Sequence, residues 1–211
     1  MICIINLRKC WLSLGWSSWQ CPKNLRSKLY LLKKLSYHIP RHCLTSILDG
    51  FFVSRIRYCL EIYGQPAHPN LSTKPDSMKR LQILLNAAMR IATGTRISDK
   101  IKITELQQRT RTISVNQLCA YSIINSAKSI HDHNTIPEIH NTIFDRTSTH
   151  QMETRAQTRQ DAQTPFCRLQ STRSFSFWAS KIWNMLPTSI RSLPLTTFKK
   201  QSKAFIITSF D

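Results

Sequence analysis

Glycine and carboxylate are the scarce components of this 211-residue chain, which has only 4 Gly and 11 Asp+Glu. So few glycines leave little room for tight hairpins or phosphate-cradling loops, and the expectation tilts towards helices. No Gly-x-Ser-x-Gly, Walker loop or Gly-x-Gly-x-x-Gly is present. The acids are also dispersed. The closest pairs are Asp99 with Glu105 and Asp132 with Glu138. Two-metal phosphoryl transfer usually gathers carboxylates around both ions. Independent catalysis is therefore not expected, nor is a cofactor held by this chain.

Other absences narrow the class further. The 7 Cys are odd in number and form no Cys-x-x-Cys pair, so neither a zinc ribbon nor a redox motif is signalled. Residues such as Cys43 and Cys59 sit in apolar helical surroundings, where a reduced cysteine is a small hydrophobe. The expected compartment is reducing and intracellular, nucleus or cytoplasm. His131-Asp132-His133 could join Cys119 or His140 around a metal, but the spacing matches no known site and a polar interhelical loop is expected. The apolar start Met1-Ile2-Cys3-Ile4-Ile5 is too short for a signal core. The uncharged run from Thr112 to Ala127 is broken by Ser114, Asn116, Gln117, Ser122 and Asn125, so no membrane span is expected.

What the chain has in excess is positive charge. Its 30 Lys+Arg give a formal charge of +19, and the imbalance is concentrated at the ends. No carboxylate precedes Asp49, where eight Lys/Arg lie, and none falls between Asp161 and Asp211, where seven lie. Segments without their own counterions suit a polyanion. Nucleic acid leads, and an anionic membrane surface follows. A surface charged for solubility is the ordinary alternative.

Helical periodicity organises the chain. Asn24 to Tyr37 places Leu25, Leu29 and Leu32 on one face, with Lys23, Arg26, Lys33 and Lys34 opposite and Tyr30 among them. That face suits phosphate contacts plus base stacking, and equally suits a leucine-packed helix wetted by lysines. Pro40 fits the first turn of a second helix running through Leu44, Ile47, Leu48, Phe51 and Phe52 to Ile56. A third, Asp76 to Ala92, places Met78, Leu81, Leu85 and Ala88 on one side and stops at Gly94. Its Lys79, Asn86 and Arg90 form a polar stripe open to a phosphate backbone or simply to solvent. Thr104 to Gln107 has capping-box form, and helix continues from Ile113 to Ile130. Thr, Gln, Ser and Arg dominate 145–172, which reads as a flexible polar linker. A C-terminal module follows, with Phe175, Trp178, Ile182, Trp183 and Leu186 as its apolar patch and a last helix from near Thr197.

Three segments, in order, carry a resemblance. Tyr58-Cys59-Leu60-Glu61-Ile62-Tyr63-Gly64 resembles a Tyr…Glu-Ile-Trp-Gly step, with Tyr63 in place of Trp. Leu81 to Gly94 resembles a helix carrying Leu-Gln, Asn and Arg before a Gly. Phe175 to Pro187, then Ile190-Arg191 and Phe198-Lys199-Lys200, resembles the C-terminal signature of LINE-type, jockey-like non-LTR retrotransposon reverse transcriptases. The similarity spans roughly Lys23 to Ile207.

The resemblance implies the thumb and post-thumb region of an RNA-directed DNA polymerase, which holds the template–primer duplex. No residue matches a catalytic position, so Mg²⁺ would belong to a polymerase palm supplied upstream or in trans. The expected architecture is mainly α. Residues 1–22 are an unmatched, poorly ordered start, 23–144 a bundle-like helical block, 145–172 the linker and 173–211 a small helical module. The expected partner is RNA or RNA–DNA duplex, contacted through Lys23, Arg26, Tyr30, Lys33, Lys34, Lys79, Asn86 and Arg90. A relic reading frame without independent function, or a basic helical interaction protein, are the alternatives.

Overall fold

The computed structural model describes residues 20–58, 60–64, 66, 76–134, 136–144, 161–163 and 175–210. The chain is mainly helical, and no strand occurs among the described residues. In chain order the helices are α1 (Gln20–Leu35), α2 (Arg41–Ile47), a π-helical segment (Leu48–Val53), α3 (Ser54–Arg57), α4 (Leu60–Tyr63), α5 (Asp76–Thr93), a 3₁₀ turn (Ile97–Asp99), α6 (Ile103–Thr110), α7 (Val115–His133), α8 (Pro137–Ile143), α9 (Phe175–Met185), α10 (Thr188–Arg191) and α11 (Leu195–Ser209). They fall into two compact units, one from residues within 1–58 and 73–115, the other within 59–72 and 116–211.

The first unit is built on α5. Helices α1, α2 and α6 and the π-helical segment all pack against it. The three-and-four spacing of apolar residues explains the arrangement: Met78, Leu81, Leu85 and Ala88 are all buried along one side of α5. Leu25 and Leu32 of α1 are likewise fully buried, each contributing about 2 kcal/mol. Helix α1 begins earlier than its periodicity predicts, at Gln20. Pro22 is tolerated because a first-turn amide has no helical acceptor to lose. The backbone of 20–22 is therefore helical, inside the stretch expected to be poorly ordered.

The expected second helix is present but not uniform, since Leu48–Val53 adopts the wider π geometry. Leu44, Leu48, Phe52 and Ile56 are buried along it, and Ser54 Oγ donates to the Gly50 carbonyl at 2.5 Å. Pro40 stands one position before the first turn, as N-cap, with φ −57° and ψ 145°. Gly94 ends α5 with φ +70°, a conformation that favours glycine. A Cβ there would also lie 2.7 Å from the Arg41 guanidinium carbon. The Thr104 capping box does not form: α6 starts at Ile103 with Lys102 as N-cap and no side-chain cap. Thr104 is thus already inside the first turn, where its hydroxyl is misplaced to cap it.

The second unit centres on α7, whose Leu118, Cys119, Ile123, Ile124, Ala127 and Ile130 are buried. Gly64 sits against this helix: a Cβ there would overlap the Leu60 carbonyl oxygen and stand 2.5 Å from Cys119 Sγ. Only glycine fits. Helix α9 packs on α8, and α10 on α11. Trp183 is fully buried, with its ring 5.2 Å from Phe144, 5.1 Å from His131 and 6.4 Å from Phe198 between centroids. Trp178, Trp183 and Phe198 are core, as their spacing suggests, while Phe175 and Phe205 are partly exposed.

Most of the expected linker, 145–172, lies outside the described residues, but 161–163 do not. Ala162 is buried, and the Asn184 side-chain amide pairs with both its backbone groups, at 2.8 and 2.9 Å. The Gln163 amide donates to the Ile143 carbonyl at 2.7 Å and its carbonyl accepts from Ser180 Oγ at 2.8 Å. Three residues of a polar, apolar-poor segment are fixed here by hydrogen bonds that the composition does not announce.

Candidate nucleic-acid interface

The basic face of α1 is open. Arg26, Lys33 and Lys34 are exposed, and Tyr30 is 59% exposed between them. The side chain of Lys23 lies outside the described residues. Among the described residues no ion pair engages Arg26, Lys33 or Lys34. Lys34 Nζ lies 4.9 Å from the Tyr30 ring centroid, a cation–π contact that holds charge beside the aromatic. Lys28 does something different: its Nζ sits 3.6 Å over the Phe51 ring and braces α1 on the π-helical segment. Two such charges about 7 Å apart in water repel by about 0.6 kcal/mol, which a bound polyanion turns into attraction.

The stripe on α5 is committed to the fold in different ways. Lys79 is exposed and pairs with Asp76 at 3.1 Å. Asn86 Oδ1 accepts from Gln82 Nε2 at 2.8 Å, while Gln82 Oε1 accepts the Val115 amide at 2.8 Å. Arg90 donates to the carbonyls of Arg96 at 3.1 Å and Ile101 at 3.3 Å, tying down the loop beyond Gly94. Arg90 therefore positions backbone directly and Asn86 does so through Gln82, and the α1 face is the open part of the candidate surface.

A second charged constellation, absent from the sequence reading, lies inside the second unit. The Arg191 side chain is only 4% exposed and donates to Asp161 Oδ1 at 2.8 Å, the Leu186 carbonyl at 2.9 Å and the Asn184 carbonyl at 3.1 Å. Lys128, 5% exposed, donates to the Arg191 carbonyl at 2.8 Å and pairs with Asp132 at 2.9 Å. Burial alone would raise the Asp132 carboxyl, but hydrogen bonds and charge from His131 and Lys128 hold it below its ordinary value. This network pairs its charges with one another and with backbone carbonyls. It is architecture.

Among the described residues the histidines form no metal-holding group. His131 Nδ1 contacts Asp132 at 3.0 Å, whereas Cys119 is buried beside Leu60, its Sγ 3.7 Å from that carbonyl. Among the described residues no group of three or more His, Cys, Asp or Glu could hold a metal ion. Burial, with Glu61 adding, pushes the Cys119 thiol far up, so it stays protonated. No helix among the described residues is long and apolar enough to cross a membrane.

No family model, curated protein or solved structure matches this chain.

Proposed function

We propose that this chain binds the backbone of RNA or RNA–DNA duplex, as the non-catalytic thumb and post-thumb region of a LINE-type retrotransposon reverse transcriptase. A polymerase palm, encoded upstream or supplied in trans, would hold Mg²⁺ and do the chemistry. The carrying observation is the exposed, carboxylate-free face of α1, where Arg26, Lys33 and Lys34 have no acidic partner among the described residues. The family reading is supported by the three ordered segments at Tyr58–Gly64, Leu81–Gly94 and Phe175–Lys200.

Salt dependence tests the binding. Three phosphate contacts give a slope of about −2.7 in log affinity against log salt, so affinity for an RNA–DNA duplex should fall about 40-fold between 50 and 200 mM. Fluorescence anisotropy with the full chain, and with Arg26→Ala, Lys33→Ala and Lys34→Ala combined, measures this slope. A combined variant that binds as tightly and as salt-sensitively as the parent overturns the assignment to α1. The DNA upstream of Met1 tests the family: a polymerase palm, in frame or frameshifted, supports it, and a different domain there refutes it.

A further inference from the structure

The open face of α1 carries more than charge. At 100° per residue, Arg26, Tyr30, Lys33 and Lys34 fall within a sector of about 100° of the helix circumference, and Tyr37 stands in the turn just past its end. Leu25, Leu29 and Leu32 occupy a separate sector that faces the core. Tyr37 lies one turn beyond Lys34, whose carbonyl accepts the Tyr37 amide at 3.3 Å. It is 76% exposed, and Tyr30 is 59% exposed. Large aromatic rings are usually drawn into a core, yet these two stand in solvent close in sequence to the exposed Lys33 and Lys34.

From this juxtaposition we infer that the α1 face is a stacking platform for an unpaired nucleic-acid strand. Bases stack on Tyr30 and Tyr37, while Arg26, Lys33 and Lys34 take the intervening phosphates. The inference rests on the nucleic-acid reading above and names the form of the ligand. Tyr30 lies within α1 and Tyr37 in the turn just past its end at Leu35, so the two rings are offered one after the other along the same strand. A duplex hides its base faces in its own stack and offers exposed tyrosines nothing; an unpaired strand offers both base faces and phosphates. Charge complementarity selects a polyanion, and the paired rings select one with accessible π-faces.

Anisotropy with the full chain separates the possibilities, using a single-stranded oligonucleotide, an abasic strand of equal length and an RNA–DNA duplex. Tyr30→Ala and Tyr37→Ala should each weaken single-strand binding about tenfold, with the salt slope unchanged. Tyr30→Phe and Tyr37→Phe should bind like the parent, and the abasic strand should bind about as weakly as the alanine variants. Both rings are exposed, so unchanged circular dichroism melts will confirm that the variants fold. If the alanine variants lose nothing, or lose as much for duplex and abasic strand, the platform is overturned while the phosphate reading stands. If neither strand nor duplex binds in a salt-dependent way, the underlying reading falls, and this inference with it. Capture by anionic vesicles that RNA does not compete away would also overturn it.

Discussion

Arg191→Met removes a guanidinium that satisfies three acceptors at once. The Leu186 carbonyl lies in a residue only 2% exposed, so losing its donor costs about 1–3 kcal/mol. The Asp161 carboxylate is 23% exposed and water replaces part of what Arg191 supplied, leaving a cost of about 1 kcal/mol. The Asn184 carbonyl belongs to an exposed residue and adds little. The expected destabilisation is about 3 kcal/mol, at the lower end for breaking a buried ion pair from one side. With a urea slope of about 2 kcal/mol per molar, the midpoint should fall by about 1.5 M. Unfolding is followed by tryptophan fluorescence, with amide exchange over 175–191 and at Ala162 as the local readout. Arg191→Lys should recover less than half, because an ammonium lacks the planar fork. Lys199→Met, on the exposed side of α11, should stay within about 0.5 kcal/mol of the parent. An Arg191→Met midpoint indistinguishable from that of Lys199→Met would refute the reasoning.

Three further outcomes follow from the second unit. Gly64→Ala should cost about 3 kcal/mol, lowering the thermal midpoint by roughly 6–12 °C, and Cys119→Ala should recover only part because the Leu60 carbonyl still blocks the methyl group; a melt unchanged by Gly64→Ala defeats this. Asp132 has a folded pKa below its unfolded one, so its contribution is present above about pH 4 and lost as pH falls through the lower folded value. Urea midpoints measured down to pH 2 should drop less steeply in Asp132→Asn, and identical acid limbs would contradict the assigned partners. At about pH 8 iodoacetamide should label Cys43, which is partly exposed, and spare Cys119 until urea is added, as read by peptide mass mapping; native labelling of Cys119 at the same rate would contradict its burial.

Periodicity made the helical class and the α1 face legible, because leucines three and four apart need only local sequence to fall together. The same logic placed Arg90 on a surface stripe, where it is instead a loop clamp. Nothing local tells an arginine beyond the middle of a helix that a glycine stop will fold the Arg96 and Ile101 carbonyls back to it. The Arg191 network was illegible for a stronger reason: Asp161 and Lys128 lie 30 and 63 residues away, and single charges at such separations carry no pattern. The Thr104 capping box failed by register, since a helix beginning two residues sooner strands the cap inside its first turn. The Asn184 and Arg191 positions of the C-terminal signature were visible as letters, but their work on backbone carbonyls and amides emerged only from the fold.

The π-helical segment has a consequence for tolerance to insertion and deletion. Four residues overshoot one α-helical turn by about 40°, so Leu44, Leu48, Phe52 and Ile56 would spiral about 120° around a regular helix. The wider turn at Leu48–Val53 takes up that overshoot and keeps all four on the buried side. Deleting one residue between Leu48 and Phe52 would let the turn relax to ordinary geometry and leave a four-three-four spacing, which keeps all four side chains within about 60° of the helix circumference. Phe52 and Ile56 would stay in the core, and Arg55 and Arg57 would keep their direction. The wide turn therefore absorbs one extra residue without changing which way the next two arginines face.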